Sequence, residues 1–394
     1  MEFSKIILKS GKDQSLRRRH PWIFSGAIKK IKGTVNEGDL VEVYDNKDEF
    51  LAIGHYQIGS IAIRVLSFVK ENIDAGFWRN KIEKALQLRL RIGLLQEGRN
   101  NIFRLIHAEG DELPGLIIDY YAGTAVVQMH SVGMFVAKDE IITALKEVLG
   151  DRLVAIYEKS KATLPYKADI EPEDGYILGA NENNEMLEYG NKFVIDWETG
   201  QKTGFFIDQR ENRKLLEFYS KDRKVLNMFG FTGGFSVYAM QGGASLVHSV
   251  DSSKPAIELT NQNIALNFSD TSRHEAFAVD AFEYLHNIDQ KYDLIILDPP
   301  AFAKHNKVLH NALQGYKKLN MRAIEQIKPG GIIFTFSCSQ VVSKENFRKS
   351  VFAAAANTGR SVRILHQLTQ PADHPVNIYH PESEYLKGFV LYVE

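Results

Sequence analysis

From about residue 190 onward the chain repeats one short rhythm of apolar strand, turn and helix, and no other feature limits the fold as strongly. "KVLNMF" leads through "GFTGG" into the helical stretch "FSVYAMQ". "SLVHSVD" runs into a helix from about Lys254, and "AFAVD", "YDLIILD" and "GGIIFTFS" are further strands. Alternation at this spacing predicts a doubly wound parallel sheet, because parallel neighbours need a crossover and the crossover helix covers a sheet face. Ligands of such sheets bind beyond the carboxyl ends of the strands. Four polar side chains occupy such ends: Asp251, Asp280, Asp298 and Cys338.

Cys338 is the only cysteine in 394 residues. It excludes an intrachain disulfide, and a lone thiol after an apolar strand is most often inert packing. Its place on one edge with three carboxylates makes it a candidate nucleophile. The Gly-rich turn Gly230 to Gly234 lets a ligand approach the backbone, although such turns also serve only to tighten packing. Asp251 follows Gly233 by 18 residues, near the roughly 20-residue spacing at which a carboxylate accepts hydrogen bonds from ribose hydroxyls. A strand-end Asp also serves as a helix cap, as Ser252 and Ser253 could. Turn and acid together favour an adenosine-containing cofactor. The chain has no G-x-G-x-x-G for a pyrophosphate here, and Asp280 sits where an adenine amino group could be bound, which favours S-adenosylmethionine. "DPPAF" (Asp298 to Phe302) offers a flat substrate a carboxylate, backbone carbonyls and an aromatic face on a proline-stiffened loop.

Two further parts precede this domain. Residues 1–68 alternate short β-rich runs with Gly turns and predict a small β-barrel. Residues 69–180 combine helical stretches with paired strands and predict a separate α+β unit, and residues 190–394 form the doubly wound domain. The net charge of −1 hides a cluster at residues 16–32, where Arg17, Arg18, Arg19, Lys29, Lys30 and Lys32 are interleaved with Trp22 and Phe24. Cations beside flat rings suit RNA contact, whereas a short charge run is otherwise a solvated face. A 44% hydrophobic, 25% charged composition is that of an ordinary globular chain. No stretch approaches the roughly 20 apolar residues of a membrane span, and "MEFSKIILKSGKDQ" lacks the apolar core of a secretion signal, so the expected compartment is the cytoplasm.

"KTGFFIDQRENR", "VLNMFGFTGGFSVYAMQGGA", "LDPPAFAK" and "SCS" together resemble the large-subunit rRNA cytosine-C5 methyltransferases that carry an N-terminal PUA domain, a central α+β (EEHEE) domain and a C-terminal class I methyltransferase domain with a Rossmann-like sheet. "SLRRRHPWIFSGAI" is similar to the opening of the PUA domain. "FRLIHAEGDELPGLIIDYYAG" is similar to the central domain and "ADHPVNIYHPESEYLKGFVLYV" to the closing strands.

The resemblance implies S-adenosyl-L-methionine as cofactor, no metal, large-subunit rRNA as partner, and leaves room for a homodimer. It implies that Cys338 attacks carbon 6 of the cytosine and that Asp298 holds the pyrimidine edge. Asp298, water or His374 could then take the carbon-5 proton. For the cofactor it implies Asp251, with Ser252 beside it, at the ribose and Asp280 at the adenine amino group, with Phe282 packing on the ring. Asn227, Phe229, Gly230, Thr232 and Gly233 would surround the methionine moiety and ribose, with Gln209 at the methionine end. Arg210 and Arg213 could equally be surface cations of a helix. Arg17, Arg18 and Arg19 would meet RNA. Residue 301 is Ala where the family more commonly has Lys, so Lys304 would supply the cation there. Two rivals stay open at this stage. One is an amino-methyltransferase acting on adenine or guanine through the "DPPAF" loop, with Cys338 as packing; the other is a non-catalytic RNA-binding module.

Overall fold

A computed structural model describes residues 3–165, 170–181 and 183–394. The chain forms two compact units, residues 1–186, 196–205 and 372–383 in the first and residues 187–195, 206–371 and 384–394 in the second. No helix of the described residues is long and apolar enough to cross a membrane.

In the first unit, β1 (Ser4–Leu8), β2 (Trp22–Phe24), β3 (Ile28–Lys32), β4 (Leu40–Tyr44), β5 (Phe50–Tyr56) and β6 (Ile61–Ser67) make a six-stranded sheet in the order β2-β6-β5-β4-β1-β3. The sheet starts and ends with strands only three residues apart in the chain, so it must curl to bring its edges together. Side chains alternate across a strand, and the inward set, Ile6, Leu8, Val41, Val43, Ala52, Ile63 and Val65 with Leu16 and Ile23, forms one core. The helical turn α1 (Gln14–Arg17) lies in the loop that carries the arginine cluster.

The same unit holds a second sheet. β7 (Ile102–His107), β8 (Leu116–Tyr121), β9 (Thr124–Met129), β10 (Ala155–Glu158) and β11 (Gly175–Leu178) run in the order β11-β10-β9-β8-β7. Helices α2 (Ala75–Arg91), α3 (Val132–Val136) and α4 (Lys138–Leu149) accompany it, and residues of α2 and α4 such as Trp78, Ile82, Ile141 and Leu145 share its core. The Asp74 side chain caps α2 by accepting from Phe77 N–H. Gly150, at φ 52°, ends α4.

Two segments that the sequence places in the last domain belong here. Fully buried Arg89 on α2 donates 2.8 Å to the Asp373 carbonyl as well as to the Asp111 carboxylate, and Asp373 Oδ2 accepts the Arg104 N–H at 2.9 Å. Thr203 Oγ1 donates 2.6 Å to Asp119 Oδ2, itself paired with Arg104. Buried charge must be compensated, and these bonds draw residues 372–383 and 196–205 into the first unit. Composition and periodicity carry no sign of such long-range pairings.

β12 (Glu185–Glu188) and β13 (Asn191–Val194) form a two-stranded ribbon. The second unit is then built on β14 (Lys224–Met228), β15 (Leu246–Asp251), β16 (His274–Ala278), β17 (Leu294–Leu297), β18 (Gly331–Ser337), β19 (Val362–Thr369) and β20 (Lys387–Val393), in the order β16-β15-β14-β17-β18-β20-β19. The first five are parallel and β20 is antiparallel to both its neighbours. Helices α5 (Arg210–Tyr219), α6 (Gly234–Gln241), α7 (Lys254–Asn267), α8 (Ala281–His286), α9 (Leu309–Gln326) and α10 (Lys344–Thr358) join the strands. β17 and β18 are buried along their whole length, as strands covered on both faces must be. The strand order reverses between β14 and β17, and a crevice opens at such a switch point.

Candidate active site

The turn after β14 is strained and tightly held. Phe229 and Phe231 take left-handed backbone at φ 58° and 47°, and Gly233 at φ 77° opens α6. A non-glycine residue in this region costs on the order of 1–3 kcal/mol and persists only where its surroundings enforce it. Here they do. Gly230 N–H donates 2.9 Å to the Val250 carbonyl and Phe231 N–H donates 3.0 Å to Asp251 Oδ2. Thr260 Oγ1 donates 2.9 Å to the Phe231 carbonyl and Asn263 Nδ2 donates 2.8 Å to that of Thr232. A Cβ on Gly233 would lie 2.7 Å from Thr260 Cγ2, so the close packing of turn on α7 requires glycine.

Asp251 ends β15 beside this turn. Its Oδ2 accepts from Phe231 N–H and its Oδ1 accepts from Ser253 N–H at 2.9 Å. Each carboxylate oxygen accepts two hydrogen bonds readily, so one site per oxygen remains for a vicinal diol. Ser253, not Asp251 or Ser252, caps α7, accepting from Ala256 N–H. Ser252 is exposed. Asp280, also exposed, caps α8 by accepting from Glu283 N–H at 3.0 Å. Phe282 stands 44% exposed, its ring 6.0 Å from Phe229 and 6.4 Å from Phe302. A strand-end carboxylate with open acceptor sites, a glycine-containing turn and an exposed aromatic ring fit an adenosyl group.

Asn227 and Thr232 are both buried where the turn packs on its neighbours. Asn227 is 1% exposed and its amide donates 2.8 Å to Ser236 Oγ, which pairs with Ser249 Oγ at 2.7 Å. It braces the turn from beneath. Thr232 is likewise buried. Arg210 and Arg213 are not surface cations: Arg213 is fully engaged by the buried Glu188 carboxylate at 2.8 and 2.7 Å and donates 2.9 Å to the Phe206 carbonyl, while Arg210 is 0% exposed. Helical periodicity could not show this, because the partner comes from β12.

The second half of the site lies at the ends of β17 and β18. Their register pairs Leu297 with Thr335, which brings the residues that follow, Asp298 and then Cys338, to one edge. Gln209 Nε2 donates 3.0 Å to Asp298 Oδ2, and Asn212 Nδ2 donates 2.6 Å to Gln209 Oε1. Buried Gln209 thus orients the carboxylate, a role the sequence did not reveal. The half-exposed Cys338 thiol lies 3.9 Å from the Pro299 carbonyl. Ser339 Oγ accepts from Ala303 N–H at 3.3 Å and lies 3.0 Å from the Tyr316 hydroxyl, tying the two loops together. Phe302 packs on Tyr316 at 4.6 Å, against Gly315, where a Cβ would lie 3.0 Å from the Phe302 ring. His374 belongs to the first unit, its Nδ1 3.1 Å from Asp373 Oδ1.

The cationic cluster divides. Arg17 is held by Asp13, Asp45 and Glu49 at 2.6, 2.7 and 3.1 Å, and these carboxylates raise its pKa further. Arg18 is exposed, and the Arg19 guanidinium lies 5.6 Å above the Phe68 ring. Trp22 donates 2.8 Å to Glu109 Oε1 and packs on His380 at 4.2 Å, leaving Phe24, 50% exposed, as the open ring. Lys304 is exposed beyond the "DPPAF" loop.

Residues 165–380 match the family model described as S-adenosylmethionine-dependent methyltransferase, and residues 6–68 match a PUA-like domain. Curated relatives include ribosomal RNA large subunit methyltransferase I of Alteromonas mediterranea, 40% identical over 396 residues, and its namesake in Pseudoalteromonas translucida, 40% identical over 397; each alignment covers 99% of both chains. Among solved structures, a proposed SAM-dependent methyltransferase from Streptococcus mutans superposes with a TM-score of 0.84 at 23% identity, covering 99% of this chain and 100% of that one. A methyltransferase structure complexed with SAH gives 0.85 at 24% with the same coverage. With a PUA-like domain, a doubly wound sheet with a switch point, and full-length relatives at this identity, the chain belongs to the S-adenosylmethionine-dependent methyltransferases, in the family of ribosomal RNA large subunit methyltransferase I.

Proposed function

We propose that this enzyme methylates carbon 5 of a cytidine in large-subunit rRNA through a covalent adduct with Cys338. The observation that carries the reading is a single thiol and a carboxylate at the ends of adjacent strands, joined through the Sγ to Pro299 carbonyl contact. Carbon 5 of cytosine is a weak nucleophile. Addition of the Cys338 thiolate to carbon 6 forms an S–C6 bond and makes carbon 5 enamine-like. S-adenosylmethionine, when bound, would supply an electrophilic methyl group to that carbon, its S–CH3 bond breaking so that the thioether S-adenosylhomocysteine leaves. A base then removes the carbon-5 proton, and the S–C6 bond breaks to return the thiolate. Asp298, oriented by Gln209, would hold the pyrimidine edge, while "DPPAF" and Phe302 would cover the base plane. The target cytidine must leave its stack, at a cost of a few kcal/mol. Asp251, Asp280, Phe282 and the 229–233 turn would hold the cofactor. The barrel would add affinity through Arg18 and Arg19 and Lys304 would meet a phosphate near the active site.

The names of the full-length relatives support the rRNA substrate. Incubation with methyl-labelled S-adenosylmethionine and large-subunit rRNA, followed by digestion to nucleosides, should give labelled 5-methylcytidine. Labelled N-methyladenosine or N-methylguanosine instead would transfer the assignment to amino-methyl chemistry.

A further inference from the structure

Lys387 opens β20, yet it is only 4% exposed and makes no ion pair among the described residues. The remainder of its strand is Gly388, Phe389, Val390, Leu391, Tyr392 and Val393, so packing alone would be served by another apolar residue. A buried ammonium costs several kcal/mol unless its donors and charge are compensated. Its donors are compensated: Nζ donates 2.7 Å to the Ser339 carbonyl and 2.5 Å to the Val342 carbonyl. Both carbonyls belong to the turn that directly follows Cys338, and the register pairs Lys387 with Ser337, the residue that directly precedes it.

Its charge is compensated less directly. Burial pushes the Lys387 pKa down to about 8; against that, the strongest opposing influence is negative charge on Cys338, followed by Glu384, while Lys344 acts in the same sense as burial. Glu384 is itself engaged by Lys344. Tyr316, whose hydroxyl lies on Ser339 Oγ, also senses charge on Cys338, and burial raises its pKa. Of the groups acting on this cation, Cys338 opposes the effect of burial most strongly.

We infer that Lys387 is a positioning residue for methyl transfer, clamping the turn after Cys338 through two carbonyls and supplying the positive charge that favours its thiolate. The inference rests on Cys338 being the nucleophile. Its test reads the thiol itself, so failure of one does not imitate failure of the other.

Because Cys338 is the sole cysteine, the pH dependence of iodoacetamide alkylation reports its thiolate without interference. The wild-type midpoint should lie below the ordinary value of about 8.5. Lys387→Met, similar in length but uncharged, should raise it by at least one unit and lower kcat at pH 7 at least tenfold, with the deficit shrinking towards pH 9 as the thiolate forms unaided. Lys387→Arg should restore the low midpoint. A wild-type midpoint at or above 8.5, an unchanged midpoint in folded Lys387→Met, or a loss of kcat independent of pH would each overturn the inference. If Lys387→Met does not fold, the wild-type midpoint and the Arg variant decide. Methyl transfer that survives Cys338→Ser would sink the nucleophile reading alone and leave the alkylation result standing.

Discussion

Replacing Asp251 with Ala removes a group that works in two directions. Outward, its two oxygens would offer their remaining acceptor sites to a ribose diol under the proposed assignment. Inward, they hold Phe231 N–H and Ser253 N–H at 3.0 and 2.9 Å. Hydrogen bonds to a charged group contribute about 1.5–3 kcal/mol each, and two lost to the ribose, softened by water entering the gap, amount to about 3 kcal/mol. That is a weakening of roughly 150-fold in Kd. The inward loss adds a cost to the apo protein of about 1–2 kcal/mol, because Phe231 sits at φ 47° and loses one of the bonds that enforce it. Asp251→Asn keeps one acceptor oxygen and should fall between, at about tenfold weaker.

Titration calorimetry with S-adenosylmethionine separates the two directions when paired with denaturant unfolding of the cofactor-free protein. The expected pattern is a large loss of affinity with a small loss of stability in Asp251→Ala. Affinity within twofold of wild type would refute the ribose assignment. A stability loss with intact affinity would make Asp251 purely a brace for the turn.

Other consequences are equally direct. Cys338→Ser should abolish methylation by several orders of magnitude while cofactor affinity stays within error, and wild type incubated with rRNA bearing 5-fluorocytidine should form a covalent complex visible on a denaturing gel; turnover without any adduct would exclude the thiol route. Neutralising Arg18 and Arg19 should reduce the salt dependence of RNA binding by up to about 0.7 log units per lost contact, whereas Arg17→Gln, already matched by three carboxylates, should leave the slope unchanged and be read in stability instead. Burial depresses His55 and His130 to about 4 in the folded chain, so between roughly pH 6.5 and 4 the unfolded state binds the extra protons and stability falls as pH is lowered through that window. His55→Gln should flatten that slope in urea unfolding at pH 7, 6 and 5, and an unaltered slope would locate the acid sensitivity elsewhere.

The strands and turns of the second unit were legible because each is a local signal. β-branched runs, a Gly turn and strand-end acids sit within a few residues of one another, and the parallel sheet follows from their alternation alone. The places of Asp251 and Asp298 at strand ends were readable for the same reason, since β15 and β17 lie on either side of β14 next to the switch point. What periodicity could not convey is which side chains answer one another across the sheet. Arg213 reads as a helix-surface cation until Glu188, 25 residues earlier, is seen to hold it. Asn227 gives no hint in the sequence that its amide donates to Ser236.

Gln209 and Lys387 carry the same lesson into the chemistry. Gln209 sits 89 residues from the carboxylate it orients, and Lys387 sits 48 and 45 residues from the carbonyls it clamps. Neither separation has a sequence signature, but one clue was present. A lysine at the head of "KGFVLYV" is a charge where only apolar residues are needed, and burying a charge is too costly to be incidental. The residue types that violate a strand's own pattern are therefore the ones to pair with a strand-end nucleophile, since a parallel sheet brings its strand ends to a single edge and its antiparallel closing strand, β20, delivers its first residue to that same edge.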